Sequence, residues 1–161
     1  LKKKPAKFLS RPAAARMLAQ LKRRGKKIVF TNGCFDLLHI GHLRLFKKAK
    51  TYGDILVVAI NSDASLARLK GPKRPLVPER LRGELLAALD TVDCVVVFNE
   101  DTPYEILKQL KPDVLVKGGD YKIADIVGRD IVKKVVRFPV VAGHSTSSLI
   151  KTIVERYADC R

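Results

Sequence analysis

Residues Lys27–His42 read KIVFTNGCFDLLHIGH, and the reading of this stretch decides the fold. Lys27 to Thr31 is short, apolar and β-branched, the pattern of a buried strand. Asn32-Gly33 is a turn signal that ends it. Gly41 to Lys50 then has helical periodicity, with Leu43, Phe46 and Ala49 on one face. A buried strand that leads within a few residues into an amphipathic helix is the opening half of a βαβ unit.

The same alternation continues outward from it. Residues 12–24 carry Ala, Met and Leu at helical spacing and stop at Gly25. Ile55 to Ile60 is a second apolar run, Cys94 to Phe98 a third and Val114 to Lys117 a fourth. Val135 to Val141 is a fifth, cut short by Pro139. Helical patterns fall over Glu79 to Leu89, over Pro103 to Leu110 with proline at its start, and from Ser145 through Tyr157. Lys70 to Pro78 (KGPKRPLVP) holds three prolines and a glycine and must be loop. Strands that are apolar throughout and alternate with helices call for a parallel sheet covered on both faces. The expected fold is α/β, a Rossmann-like doubly wound parallel sheet of five strands. In such sheets ligands bind beyond the carboxyl ends of the strands, at the point where strand order reverses. The loops after Phe30, Ile60 and Val116 are therefore where chemistry is expected.

With 161 residues, 47% of them hydrophobic, the chain can bury a core and is not disordered. No apolar run approaches the roughly 20 residues that span a bilayer, and the basic N-terminus lacks the apolar stretch of a secretory signal. A soluble, cytoplasmic protein is expected. Leu1 in place of Met is consistent with a trimmed chain or with one domain of a longer polypeptide. Cys34, Cys94 and Cys160 are odd in number and widely spaced. They offer neither a disulfide framework nor zinc spacing, which suits a reducing compartment. The formal charge of +16 implies an anionic partner or substrate, or a generally basic proteome. A basic nucleic-acid-binding domain is the rival class. It is disfavoured because the basic residues are dispersed and only 6% of residues are aromatic, with no stacking stripe.

The chemistry is expected at Thr31 to His42. A helix N-terminus at His39-Ile40-Gly41-His42 presents amide hydrogens and about half a positive charge, a site for anions. Gly41 removes a side chain where a phosphate approaches the backbone, and His39 and His42 share one face of the first turn. Gly33 lets the loop run close to a nucleotide. A helix cap is the bland alternative. A metal site is disfavoured because His-x-x-His has no third ligand nearby.

This HxGH element resembles that of the nucleotidyltransferases related to cytidylyltransferases, over about Leu9 to Glu155. Class I aminoacyl-tRNA synthetases are more distant relatives and too large. Asn61-Ser62-Asp63, KGPKRPLVP, Leu115 to Tyr121 (LVKGGDY) and Gly143 to Ile150 (GHSTSSLI) resemble segments of the heptose 1-phosphate adenylyltransferases. A glycerol-3-phosphate cytidylyltransferase, or another small-metabolite nucleotidyltransferase, is the alternative within the group.

The resemblance implies transfer of AMP from ATP to D-glycero-β-D-manno-heptose 1-phosphate, giving ADP-heptose for lipopolysaccharide or another surface glycan. Mg²⁺ accompanies ATP, without a protein cage of its own. His39 and His42 would donate to the α-phosphate. Lys50 matches a phosphate-binding lysine, or is a solvated charge at the helix end. Thr31, Asn32, Gly33, Cys34, Phe35 and Gly41 would contact the nucleotide. Arg82 would lie near the triphosphate, and Lys117, Gly118 and Asp120 near adenine. Ser145, Thr146 and Ser147 would hold the outer phosphates, with Ser145 also an N-cap. Asp36 either leads into the helix or contacts the sugar phosphate, and Asp63 is similarly ambiguous. Lys70, with Lys73 and Arg74, either folds over phosphates or is surface charge. His144 is read as loop. The expected organisation is a single domain, with a basic helical segment over residues 1–26 packed on a nucleotidyltransferase domain over 27–161. Relatives of this size commonly pair, so a homodimer is expected.

Overall fold

The computed structural model describes residues 7–139, 143 and 145–158. Its sheet has five parallel strands: β1 (Ile28–Gly33), β2 (Ile55–Asn61), β3 (Cys94–Phe98), β4 (Val114–Gly118) and β5 (Lys134–Phe138). Their order is β3-β2-β1-β4-β5. The chain therefore winds outward from β1 in one direction, then returns to its other flank at β4. That reversal places the switch point between β1 and β4.

The helices among the described residues are α1 (Arg11–Arg23), α2 (Ile40–Lys50), α3 (Asp63–Lys70), α4 (Glu79–Ala88), α5 (Tyr104–Leu110) and α6 (Thr146–Tyr157), with a 3-10 turn at Ile123–Asp125. Because side chains alternate along a strand, each strand feeds two cores. Ile28 and Phe30 of β1, Val57 and Ala59 of β2, and Leu115 of β4 pack with Ala14 and Leu18 of α1 and with Ile106 and Leu107 of α5. Val29, Leu56, Val58, Ile60 and Val116 pack on the other face with Leu45, Phe46 and Ala49 of α2 and Leu86 of α4. This two-sided burial is the physical reason the strands read as unbroken apolar runs.

The described part of the N-terminal segment joins these layers. Ala14 and Leu18 are fully buried, and Phe8 bridges in parallel to Val95 of β3. A Cβ added at Gly83 of α4 would lie 2.5 Å from the Phe8 ring, so the glycine makes room for that ring.

Three local features differ from the expectations. β1 does not stop at Asn32-Gly33, since both residues stay paired in register with Ala59 and Ile60 of β2. Residues 63–70 form a helix, capped by the Ser62 side chain accepting from the Ser65 amide. β5 ends at Phe138, before Pro139; the rest of the expected fifth strand, residues 140–141, lies outside the described residues, as do His144 and Cys160. No helix among the described residues is long and apolar enough to cross a membrane.

Candidate active site

A cavity of about 660 Å³ opens at the carboxyl edge of the sheet, across the switch point. β1 contributes Asn32 and Gly33 to its wall, and the following loop adds Cys34 and Phe35. His39, Gly41 and His42 stand at the start of α2, and Lys117 and Gly118 at the end of β4. Lys70 closes one side, and Ser145 and Thr146 the other.

The histidines form the centre of this wall. His39 is the N-cap of α2 in extended conformation, and its carbonyl accepts from the His42 amide at 2.9 Å. The two imidazoles stack, with centroids 3.7 Å apart and planes 27° apart. Phe35 meets His42 edge-on at 5.0 Å and Phe46 at 5.1 Å. Phe35 holds a left-handed backbone (φ 45°), which is unusual for a bulky side chain. The ring needs the absence of a side chain at Gly33, where a Cβ would fall 2.9 Å from it. Gly33 thus serves the packing of Phe35, a reason beyond the close approach to a nucleotide expected from sequence. Burial, and secondarily the charge of His39, pushes the His42 pKa down to about 4. His42 is consequently a neutral imidazole at neutral pH, able to donate one hydrogen bond.

Lys117 supplies an ammonium to the cavity. Its Nζ donates to Asn32 Oδ1 at 3.3 Å and lies 5.7 Å from the Tyr121 ring centre. Burial lowers its pKa, with Cys34 acting in the opposite direction. Burial raises the pKa of the Cys34 thiol, outweighing nearby lysines and arginines. Cys34 is thus poorly suited to act as a thiolate nucleophile. Ser145 closes a capping box, its hydroxyl accepting from the Ser148 amide and the Ser148 hydroxyl from the Ser145 amide.

Several residues expected at the site are placed elsewhere. Lys50 sits at the far end of α2, about 15 Å along the helix from its start. There its ammonium pairs with Asp93 at the amino edge of the sheet, while the histidines stand at the carboxyl edge. Arg82 is almost wholly buried on the inner side of α4. Its guanidinium donates to the carbonyls of Val77, Cys34 and Asn61 and to Asp63 Oδ1, so it ties loops together beneath the cavity. Asp63 also accepts from the Glu79 amide. Asp36 is buried and faces the proline-rich loop, accepting from Arg74 and from the Leu76 and Val77 amides. Burial would raise its pKa, but those hydrogen bonds prevail and lower it. Thr31 is fully buried on the sheet face shared with Val29, its hydroxyl without a hydrogen-bond partner among the described residues. Asp120 and Ser147 are exposed and absent from the cavity wall.

Other lining residues escape a sequence reading. Asp101, Thr102, Ile126 and Val127 all reach the cavity, as do Asn61 and Tyr121, which the sequence offers only within segments that resemble the family. For the others the signal is topological: they follow β3 and β4 at the edge where ligands bind.

The pattern of cytidylyltransferase-like proteins matches residues 30–156. The chain belongs to the cytidylyltransferase-like family. It is 56% identical over 140 residues to the bifunctional protein HldE of a Nitratiruptor species, covering 87% of this chain and 29% of that one. Against the bifunctional protein HldE of Geobacter metallireducens the identity is 51% over 158 residues, or 96% and 32% of the two chains. The chain thus spans about a third of the length of these curated relatives. Among solved structures it resembles a lipopolysaccharide core biosynthesis protein from Thermoplasma volcanium, with 33% identity and a TM-score of 0.63, covering 73% of this chain and 99% of that one. Pantoate-β-alanine ligase from Francisella tularensis shares the fold, with a TM-score of 0.63 at 18% identity over 90% of this chain and 72% of that one.

Proposed function

We propose that this chain transfers the adenylyl group of ATP to D-glycero-β-D-manno-heptose 1-phosphate, releasing pyrophosphate and forming ADP-heptose. The observation that carries this reading is the stacked His39–His42 pair on the wall of a cavity at the switch point. Membership of the cytidylyltransferase-like family supports nucleotidyl transfer. The likeness to proteins named HldE and to a lipopolysaccharide core biosynthesis protein supports the choice of substrate.

In the reaction an oxygen of the sugar phosphate attacks the α-phosphorus in line, and the bond to pyrophosphate breaks. No protein nucleophile is required, so the work is positioning and stabilisation of charge. His39 and His42 donate to the α-phosphate oxygens as phosphorus becomes five-coordinate. Lys117 supplies the positive charge that the neutral His42 cannot. Asn32, Gly33, Cys34, Phe35 and Gly41 shape the wall beside the nucleotide, and Gly118 lies near its base. Ser145 and Thr146 at the start of α6 receive the outer phosphates.

Asp125 brings a carboxylate to the cavity, which suits Mg²⁺ held mainly by substrate phosphates. When bound, the ion neutralises charge on the triphosphate. The same reading expects two copies to pair, which sedimentation velocity checks.

The test is pyrophosphate release with ATP or CTP, each offered heptose 1-phosphate or glycerol 3-phosphate. ATP with the heptose should turn over fastest. Preference for CTP with glycerol 3-phosphate would overturn the substrate assignment and keep the family chemistry.

A further inference from the structure

The two ends of the cavity differ in chemistry. Tyr121, Ile126, Val127 and Phe138 supply apolar surface beside β4 and β5, whereas Asn61, Lys70, Asp101 and Thr102 supply polar groups beside β2 and β3, with Leu69 and Pro103. The polar end owes part of its shape to the loop after β3, which is held from several sides. Arg68 of α3 donates through Nη2 to the Asn99 carbonyl at 2.7 Å, and through Nε and Nη2 to Asp101 Oδ1 at 2.9 and 2.7 Å. The Ser65 hydroxyl donates to the Glu100 carbonyl at 3.0 Å and accepts from the Asn61 amide. Arg11 of α1 pairs with the Glu100 carboxylate. Asn99, Asp101 and Thr102 are exposed, so core packing does not require this bracing. The bracing preorganises polar groups on the cavity wall.

In-line displacement adds a direction. If the leaving pyrophosphate faces the start of α6, beyond β5, the attacking oxygen must arrive from the opposite side of the α-phosphorus. That side is the β2–β3 end. Resting on the adenylyl-transfer reading, we infer that Asp101 and Thr102 select the acceptor by hydrogen bonding to the hydroxyls of a phosphorylated sugar. Lys70 faces the acceptor phosphate, and Arg68 is a positioning residue that acts through Asp101. The carboxylate also works by exclusion. A phosphorylated acceptor with no hydroxyl at this position forgoes the hydrogen bond that the carboxylate accepts there.

The experiment uses the full chain with Asp101→Ala, Thr102→Val, Arg68→Leu and Arg68→Lys, with direct ATP binding measured in the absence of acceptor. Asp101→Ala should raise KM for the sugar phosphate about tenfold or more, and shrink the preference for it over glycerol 3-phosphate by a similar factor. Thr102→Val should shift KM in the same direction. ATP affinity should stay within about twofold, as expected for a residue that touches only the acceptor. Arg68→Leu should follow Asp101→Ala, and Arg68→Lys should recover part of the loss. An unchanged acceptor KM, or a loss of ATP affinity equal to the loss for the acceptor, overturns the assignment alone. Absence of turnover of any sugar phosphate by the unaltered chain, with ATP still bound, overturns the functional reading and this assignment with it.

Discussion

His39 and His42 stack face to face, with ring centroids 3.7 Å apart, close enough that a proton on one disfavours a proton on the other. Since burial and His39 together hold His42 near a pKa of about 4, it is neutral at neutral pH, and the proposed mechanism uses it as a neutral donor. His42→Ala should lower turnover by about 10²-fold or more with the fold retained, the loss typical of one oxyanion donor. Near-normal turnover with intact circular dichroism would remove His42 from the mechanism.

The same shift makes a stability prediction. The folded pKa lies below the unfolded value of about 6.5, so folding favours neutral His42. This contribution is complete above about pH 6.5 and is lost as pH falls through about 4, the loss reaching ~3 kcal/mol there. Urea unfolding at pH 7 and pH 4.5 should show the native chain losing more stability than His42→Asn. Equal losses would mean that His42 titrates normally.

Lys50 gives the opposite test. Its ammonium is committed to Asp93 at the amino edge of the sheet. Lys50→Met should cost at most about 1 kcal/mol, as for a partly exposed ion pair. Turnover should stay within about twofold of the native value, as for a residue outside the site. A large fall in kcat at unchanged stability would restore the phosphate-binding role suggested by sequence.

Arg82 acts beneath the cavity. Its substitution by Met leaves the carbonyls of Val77, Cys34 and Asn61 and the Asp63 carboxylate without the guanidinium they share. Leaving such acceptors without their shared donor costs about 1–3 kcal/mol. The denaturation midpoint should drop accordingly, and Arg82→Lys should recover little because an ammonium cannot span the four acceptors. A midpoint unchanged by Arg82→Met would show that the loops hold without it.

The contrast between Lys50 and Arg82 also shows what a sequence can reveal. Strands such as Cys94–Phe98 were legible because burial on both faces leaves an unbroken apolar run. His39, Gly41 and His42 were legible because the motif itself lies within one turn of helix. Lys50 and Arg82 were not, because a side chain's direction depends on which edge of the sheet its helix end reaches. α3 was hidden for a local reason: it is short, and its start depends on the Ser62 cap more than on a long apolar stripe. Asp101 and Tyr121 lie far apart in sequence and meet one cavity only through the order of the strands.

That order has a wider consequence. Because the chain doubles back at β1, the loops that follow β2 and β3 and those that follow β4 and β5 hang from opposite flanks of a shared strand. On the proposed reading, one flank therefore answers for the molecule being activated and the other for the energy-rich donor, so that exchanging the first would redirect the scaffold to a new product.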